Sequence, residues 1–164
     1  MKKIFFCVFL LYGQIVFAAD KASLEKSIRN AIQSVSDMRV SDKAFIQQQQ
    51  KLLRIRKPRG MSVNPNTLDI KIMVTLVKIT DSNTISEKEL QVSGYSNITT
   101  EYSFIEKVNS EHKKKHSDKL FSVLKFKAKF KDVLGEFVIQ DINTFAENGK
   151  MNSKPLYRDG VPIK

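Results

Sequence analysis

The chain has 164 residues, 28 of them Lys or Arg and 17 Asp or Glu, so its formal net charge at neutral pH is +11. Its hydrophobic fraction of 41% and charged fraction of 27% exclude a wholly disordered chain, a multi-span membrane protein and a collagen-like fibre. The single cysteine, Cys7, excludes a disulfide framework and a cysteine-based zinc site. The length predicts one domain.

Residues 1–18 have the pattern of a secretory signal peptide. Lys2 and Lys3 precede an apolar run, and Val16 and Ala18 occupy the −3 and −1 positions of a cleavage site. The alternative is an uncleaved anchor, but the apolar run is shorter than the roughly 20 residues that a spanning helix needs. We therefore expect cleavage after Ala18, a periplasmic location and a basic mature chain without cysteine.

Two helices are predicted next in the chain. Residues 19–41 are expected to form an N-terminal helix, whose apolar positions recur at spacings of four, four and three residues: Leu24, Ile28, Ile32 and Val35. Because this stripe is thin, the helix is expected to lean on the domain without entering its core. Ser41 and Asp42 are candidate caps of a second helix over residues 43–57, which Pro58 and Gly60 end.

Residues 42–142 are predicted to form an α+β domain. Alternation of apolar and polar residues predicts four strands, over residues 68–79, 89–94, 121–131 and 136–142. A third helix is expected over residues 97–116, because the polar residues at its start could cap it and Ile105 and Val108 could form its core side. Residues 143–164 are expected to be a polar C-terminal tail.

The predicted order from residue 43 onward is α-β-β-α-β-β. Such a chain can form a small antiparallel sheet with helices on one face, a circularly permuted ferredoxin-like fold, preceded here by the extra N-terminal helix. The expected core consists of Ile70, Ile72, Val74, Leu90, Val92, Ile105, Val108, Phe126 and Phe130.

The residues that could support chemistry are few. His112 and His116 are four positions apart and would share one face of the predicted third helix, as a pair of metal ligands would. The three lysines between them oppose a cation, so a solvated, charged helix end is the favoured interpretation. The sequence has neither a nucleophile elbow nor a glycine-rich phosphate loop. We expect no catalytic residue, no cofactor and no enzymatic activity.

Two basic groups are the candidate partner-binding residues. The first, at the end of the second helix, consists of Lys51, Arg54, Arg56, Lys57 and Arg59; the second, on one face of a strand, consists of Lys125, Lys127, Lys129 and Lys131. Arginine binds carboxylates bidentately, but cations also favour a helix C-terminus. A lysine face can dock an acidic partner, or it can discourage aggregation of a strand. The expected partners are envelope proteins or an anionic membrane surface, and no nucleic acid.

Four stretches of the chain resemble a known family: T-L-D-I-K-I-M-V-T-L-V-K-I, K-E-L-Q-V-S-G-Y-S-N, Y-S-F-I-E-K-V-N and F-S-V-L-K-F-K-A-K-F. They are similar to the periplasmic domains of the type IV pilus alignment proteins PilN and PilO and of the type II secretion proteins GspL and GspM. The matching positions are Leu90, Val92, Gly94, Tyr95, Phe104, Ile105 and Val108. The resemblance implies a strand, a strand end, a helix and a strand, in a subunit that forms homo- or heterodimers. Those proteins keep a transmembrane helix where this chain has a signal-like segment.

The sequence thus favours a non-enzymatic periplasmic accessory or structural subunit of a type IV pilus or related secretion machine. The alternative is a periplasmic immunity or enzyme-inhibitor protein, since a small basic domain can occupy an acidic enzyme cleft. A third hypothesis is a binder of the envelope surface that uses the lysine-bearing strand.

Overall fold

The computed structural model describes residues 2–56, 63–86, 88–107, 113–146, 149–152 and 154–163, with side chains of the two helices from Lys21 to Leu53. The elements are α1 (Lys2–Ser41), α2 (Lys43–Arg56), β1 (Val63–Ser86), β2 (Glu89–Lys107), β3 (Lys113–Val133), β4 (Glu136–Phe145), β5 (Tyr157–Arg158) and β6 (Val161–Pro162). The strands form one antiparallel sheet in which each strand pairs with the next along the chain. The fold is therefore a meander of long strands with α1 on one face.

The predicted ferredoxin-like fold is wrong, because the described residues contain no third helix between the strands. Residues 97–107 continue β2, and residues 113–116 begin β3. The segment 98–104 places β-branched and aromatic residues at every second position, a pattern that favours an extended strand. Residues 80–86, which lie between the predicted strands 68–79 and 89–94, likewise remain in β1. The result is a large sheet of long strands in place of two helix-and-hairpin halves.

Helix α1 belongs to the core, contrary to the expectation that it only leans on the domain. Ile28 is 0% exposed and Ile32 is 2% exposed. The buried side chains of α1 pack against residues from β1, β2, β3 and β4: Val77, Ile79, Val92, Phe126, Ala128, Phe130, Ile139 and Ile142. The stripe is thin but continuous, and a sheet face can cover all of it. Asp42 caps α2 as predicted, because its carboxylate accepts the N–H of Ala44 at 2.8 Å.

Two polar side chains of α1 bind the outer edge of β1. The side-chain amide of Gln33 donates to the carbonyl oxygen of Ile72 at 2.8 Å and accepts the N–H of Val74 at 2.9 Å. The carboxylate of Glu25 accepts the N–H of Ile79 at 2.9 Å. These backbone groups are the ones that a further strand would need. Helix α1 therefore closes this edge of the sheet at the positions it reaches.

The expected core is only partly correct. Ile70, Val92, Phe126 and Phe130 are buried, whereas Val74 and Leu90 are partly buried against the core cluster. Ile72 and Ile105 are also only partly buried, and Val108 lies outside the described residues. A register shift between Val74 and Leu76 explains why the expected core omitted Val77 and Ile79 of β1. The shift reverses the alternation, so Val77 and Ile79 face α1 and Leu76 faces away.

The C-terminal segment, expected as a polar tail, contributes to the fold. Residues 143–145 belong to β4, and β5 and β6 follow it in the sheet. Leu156 is buried and donates its N–H to the carbonyl oxygen of Ile142 at 2.7 Å. Gly160 donates likewise to Gln140 at 2.8 Å. This segment therefore covers the outer edge of β4.

Gly94 lies where the backbones of two strands approach closely, and this yields a stability prediction. A Cβ atom at this position would overlap the backbone carbonyl oxygen of Lys78 in the neighbouring strand. We expect Gly94→Ala to lower the free energy of unfolding by about 3 kcal/mol, because backbone has to move to relieve the overlap. Ser93→Ala, at the preceding position, should change the free energy of unfolding by less than about 0.5 kcal/mol. Urea unfolding of both variants measures this, and equally small losses would contradict the close packing of β1 on β2.

Candidate partner-binding surface

The sheet has one face that no described element covers. Core residues of β3 point toward α1, and alternate residues point to the opposite side, here called the open face. The four lysines predicted to lie together, Lys125, Lys127, Lys129 and Lys131, occupy this face and are called the lysine row. Their side chains are exposed, except that Lys129 is half-buried. The placement follows the alternation of lysines with Leu124, Phe126, Ala128 and Phe130 in the sequence.

Only part of the lysine row has partners within the protein. The ammonium nitrogen of Lys129 lies 3.0 Å from a carboxylate oxygen of Glu89, on the neighbouring strand. Lys127 lies over the ring of Phe145, 5.7 Å from its centroid. Among the described residues, Lys125 and Lys131 have no ion pair. Their positive charges are therefore available to an acidic ligand.

An exposed apolar patch adjoins the lysine row. It consists of Phe121 and Val123 on β3, 73% and 63% exposed, and Leu76 on β1, 39% exposed. A shallow groove of about 630 Å³ runs beside Phe121 and Val123 and is also lined by Asn97 and Thr99 of β2. Sequence reasoning missed this patch, although Phe121 and Val123 share the parity of the lysines and so belong on the same face.

An ion pair lies on the side of the apolar patch that is away from the lysine row. The ammonium nitrogen of Lys119 lies 2.5 Å from a carboxylate oxygen of Glu101. The hydrogen bond from Lys119, with smaller contributions from the charges of Lys119 and Lys71, lowers the pKa of Glu101 below its ordinary value despite partial desolvation. Glu101 is therefore ionised at neutral pH and already engaged, so it does not neutralise the lysine row.

The first part of β3 has an outer edge without a partner strand. Strand β4 pairs with β3 only over Lys125–Val133. Within the described residues, no strand pairs with the outer side of residues 113–124, and this segment is called the free edge. Asp132 donates its N–H toward β2, to Lys88, and backbone direction alternates along a strand. The odd-numbered residues of the free edge therefore direct their N–H and C=O groups outward.

The structure describes less of the first basic group than of the lysine row. Lys51 is exposed on α2. Arg54 and Arg56 lie in the last turn of α2, outside the range of described side chains, and Lys57 and Arg59 lie outside the described residues. Of the two candidate groups, the lysine row is the one whose geometry is defined.

The weak metal candidates do not form a site in the described residues. His112 lies outside them, and His116 lies on β3, not at a helix end as predicted. A ring nitrogen of His116 is 2.7 Å from a carboxylate oxygen of Glu106, and its ring stacks on Phe104 at 5.2 Å between centroids. Among the described residues, no three His, Cys, Asp or Glu side chains come together as metal ligands. His116 therefore serves as a cross-strand contact.

The chain matches no protein-family model, no curated protein and no solved structure. The resemblance to pilus alignment proteins remains a prediction, and Phe104 and Ile105, which correspond to helix positions there, lie in β2 of this chain. No helix in the described part of the chain is both long and apolar enough to span a membrane.

Proposed function

We propose that this chain is an exported, non-enzymatic protein of the cell envelope that binds an acidic partner protein through its open face. The observation that carries the proposal is the lysine row, in which Lys125 and Lys131 have no acidic partner among the described residues. The signal-like residues 1–18 supply the argument for export, and an envelope assembly is the expected setting.

Charge repulsion is the first physical argument for a bound partner. Alternate residues of a strand are about 6.6 Å apart, so neighbouring ammonium groups of the row repel each other across a short distance. Among the described residues, only the carboxylate of Glu89 forms an ion pair with the row. An acidic surface placed on the row would replace this repulsion with attraction, and it would also accelerate association and favour the correct orientation.

The apolar patch supplies the second argument. Charged contacts at the rim of an interface contribute little affinity, whereas buried aromatic side chains contribute much of it. Phe121 and Val123 are largely exposed and lie on the same strand as the row. A partner that covers both features would bury an aromatic anchor beside a row of cations, and buried aromatic anchors supply much of the affinity of specific protein interfaces.

The role of an accessory subunit in a type IV pilus or related secretion machine is the most specific form of this proposal. It rests on the signal-like segment, the basic charge and the sequence resemblance. The long-stranded meander differs from the helix-containing order that the resemblance implies. The fold therefore lends no support to this form, and the binding surface is the basis of the experiments.

Export predicts a defined mass. The protein isolated from the envelope or periplasmic fraction of its own cells should lack residues 1–18, because Val16 and Ala18 fit a signal-peptidase site. Intact-mass spectrometry measures this directly. Recovery of the full-length chain, with these residues retained in the membrane fraction, would show that the segment is an anchor.

Binding predicts a loss that depends on position and not only on charge. Replacing Lys125, Lys127 and Lys131 with glutamate should weaken complex formation at least about tenfold, since three favourable charge contacts become repulsive. The matched control replaces Lys26, Arg29 and Lys43 with glutamate. These residues are exposed on the helices, and the change in net charge is the same. In native cells, a photo-cross-linking residue at Ser93, opposite Lys127 on the open face, reports the complex.

The two triple variants separate a specific surface from general electrostatics. Both should keep the unfolding midpoint of the unmodified protein, because exposed charges contribute little to stability. The control variant should form the cross-linked complex normally. Equal losses in both variants would mean that net charge alone attracts the partner, and unchanged cross-linking in the lysine-row variant would overturn the proposed binding face.

A further inference from the structure

The free edge of β3 differs from the other outer edges of the sheet. The edge of β1 is bound by Gln33 and Glu25 of α1. The edge of β4 is bound by the C-terminal segment through Leu156 and Gly160. Residues 113–124 have no such cover within the described structure. In the described structure, specific hydrogen bonds thus cover two edges at these positions, whereas a third edge is open over residues 113–124, where every second residue directs its backbone groups outward.

The free edge is also apolar where it leads into the lysine row. Leu120 is 57% exposed on the face toward α1, and Phe121 and Val123 are exposed on the open face. Outward-directed backbone groups beside exposed apolar side chains are a template for pairing with another strand. The outward N–H of Lys119 is accepted by its neighbour Asp118 at 2.8 Å, so the available donors include Ser117, Phe121 and Val123. An extended segment could therefore bind here through both backbone and side chains.

The charge of the free edge determines what kind of segment fits it. Lys113, Lys114 and Lys115 are consecutive and exposed at its beginning, and Lys119 follows. Asp118 is the only acidic residue in 113–124, and its carboxylate is engaged by a backbone N–H. A complementary strand would carry acidic residues opposite the three consecutive lysines and apolar residues opposite 120–124.

A second copy of this chain fits the edge poorly. Antiparallel self-pairing centred on Asp118 would set two Asp118 side chains against each other, and centring on Lys119 would do the same for two lysines. Neither arrangement supplies an acidic neighbour to Lys113–Lys115. The charge pattern therefore favours a different protein as the source of the strand.

We propose that the free edge binds an extended segment of the partner protein by antiparallel strand addition. The segment carries apolar residues in its N-terminal half, opposite 120–124, and acidic residues in its C-terminal half, opposite Lys113–Lys115. Strand addition derives affinity from main-chain hydrogen bonds and specificity from alternate side chains. The inference rests on the proposed binding function, and it adds a second surface and the chemistry of the bound segment.

A backbone substitution tests the inference with little change in side chains. Ser117→Pro removes an outward N–H and places the ring where a strand would approach, while the bonds of neighbouring residues to β2 remain. Ser117→Ala is the matched control, because it keeps the N–H. Both variants should unfold at nearly the same urea concentration as the unmodified protein, since the side chain of Ser117 is exposed to solvent.

The probes are two short synthetic peptides of identical composition, one with its apolar half first and the other with its acidic half first. The apolar-first peptide should bind at least about tenfold more tightly, a difference equivalent to about 1.4 kcal/mol. Ser117→Pro should weaken its binding by a similar factor, and Ser117→Ala should not. Fluorescence anisotropy at physiological salt measures all combinations.

Several results would overturn the inference. Equal affinity for the two peptides would indicate attraction by net charge, and unchanged binding to the Ser117→Pro variant would exclude strand addition at this edge. A dimer of the unmodified protein that dissociates in that variant would identify a second copy as the occupant. Failure of both peptides to bind the unmodified protein, with normal cross-linking at Ser93, would refute this inference alone. Unchanged cross-linking at Ser93 in the lysine-row variant, together with normal peptide binding, would refute the lysine-row proposal instead.

Discussion

The packing of α1 on the sheet is the interaction on which the rest of the structure depends. A single sheet layer cannot bury its own apolar face, so a second layer has to cover it. Helix α1 provides that layer through fully or nearly fully buried residues such as Ile28 and Ile32, each contributing about 1.5–3 kcal/mol by removal from water. Gln33 and Glu25 then fix the helix along β1 by hydrogen bonds to its backbone. Helix α1 thus covers one face of the sheet and closes one edge at the positions that these two side chains reach.

This arrangement concentrates the remaining binding capacity in β3. Phe126 and Phe130 face the core, the lysine row faces the opposite side, and residues 113–124 form the free edge. Stability and binding therefore depend on different atoms of one strand. Substitutions of the core side chains should unfold the protein, whereas exposed lysines and outward backbone groups can change with little effect on folding.

The sequence pattern was informative wherever local alternation decides the structure. The alternation of lysine with Phe126, Ala128 and Phe130 correctly predicted a strand with a buried and a basic face, and Asp42 was correctly predicted as a helix cap. The helix predicted over residues 97–116 was wrong. The prediction relied on the capping residues and on the spacing of Ile105 from Val108, and it gave less weight to the alternating aromatic and β-branched residues before them. Those residues are compatible with both elements until the pairing of β2 with β3 is known.

Other features depend on contacts between distant residues and leave no local signal. The register shift beside Leu76 exchanges the faces to which alternate side chains of β1 point, and no residue pattern in the segment indicates it. The bonds of Gln33 to β1 join residues about 40 positions apart, and a glutamine on a helix ordinarily indicates a solvated face. The strand predicted over residues 89–94 ended at Gly94, whereas this glycine permits the close approach of β1 within a continuing strand.

Amide hydrogen exchange of the purified protein tests most directly the central claim that α1 closes one edge of the sheet and leaves another open. The N–H groups of Val74 and Ile79 should be strongly protected by Gln33 and Glu25, and Val74 should lose protection in Gln33→Ala. In the same spectrum, the outward N–H groups of Phe121 and Val123 should exchange much faster than that of Phe126, which faces β2. Protection of Phe121 and Val123 equal to that of Phe126 in the isolated protein would contradict the open edge.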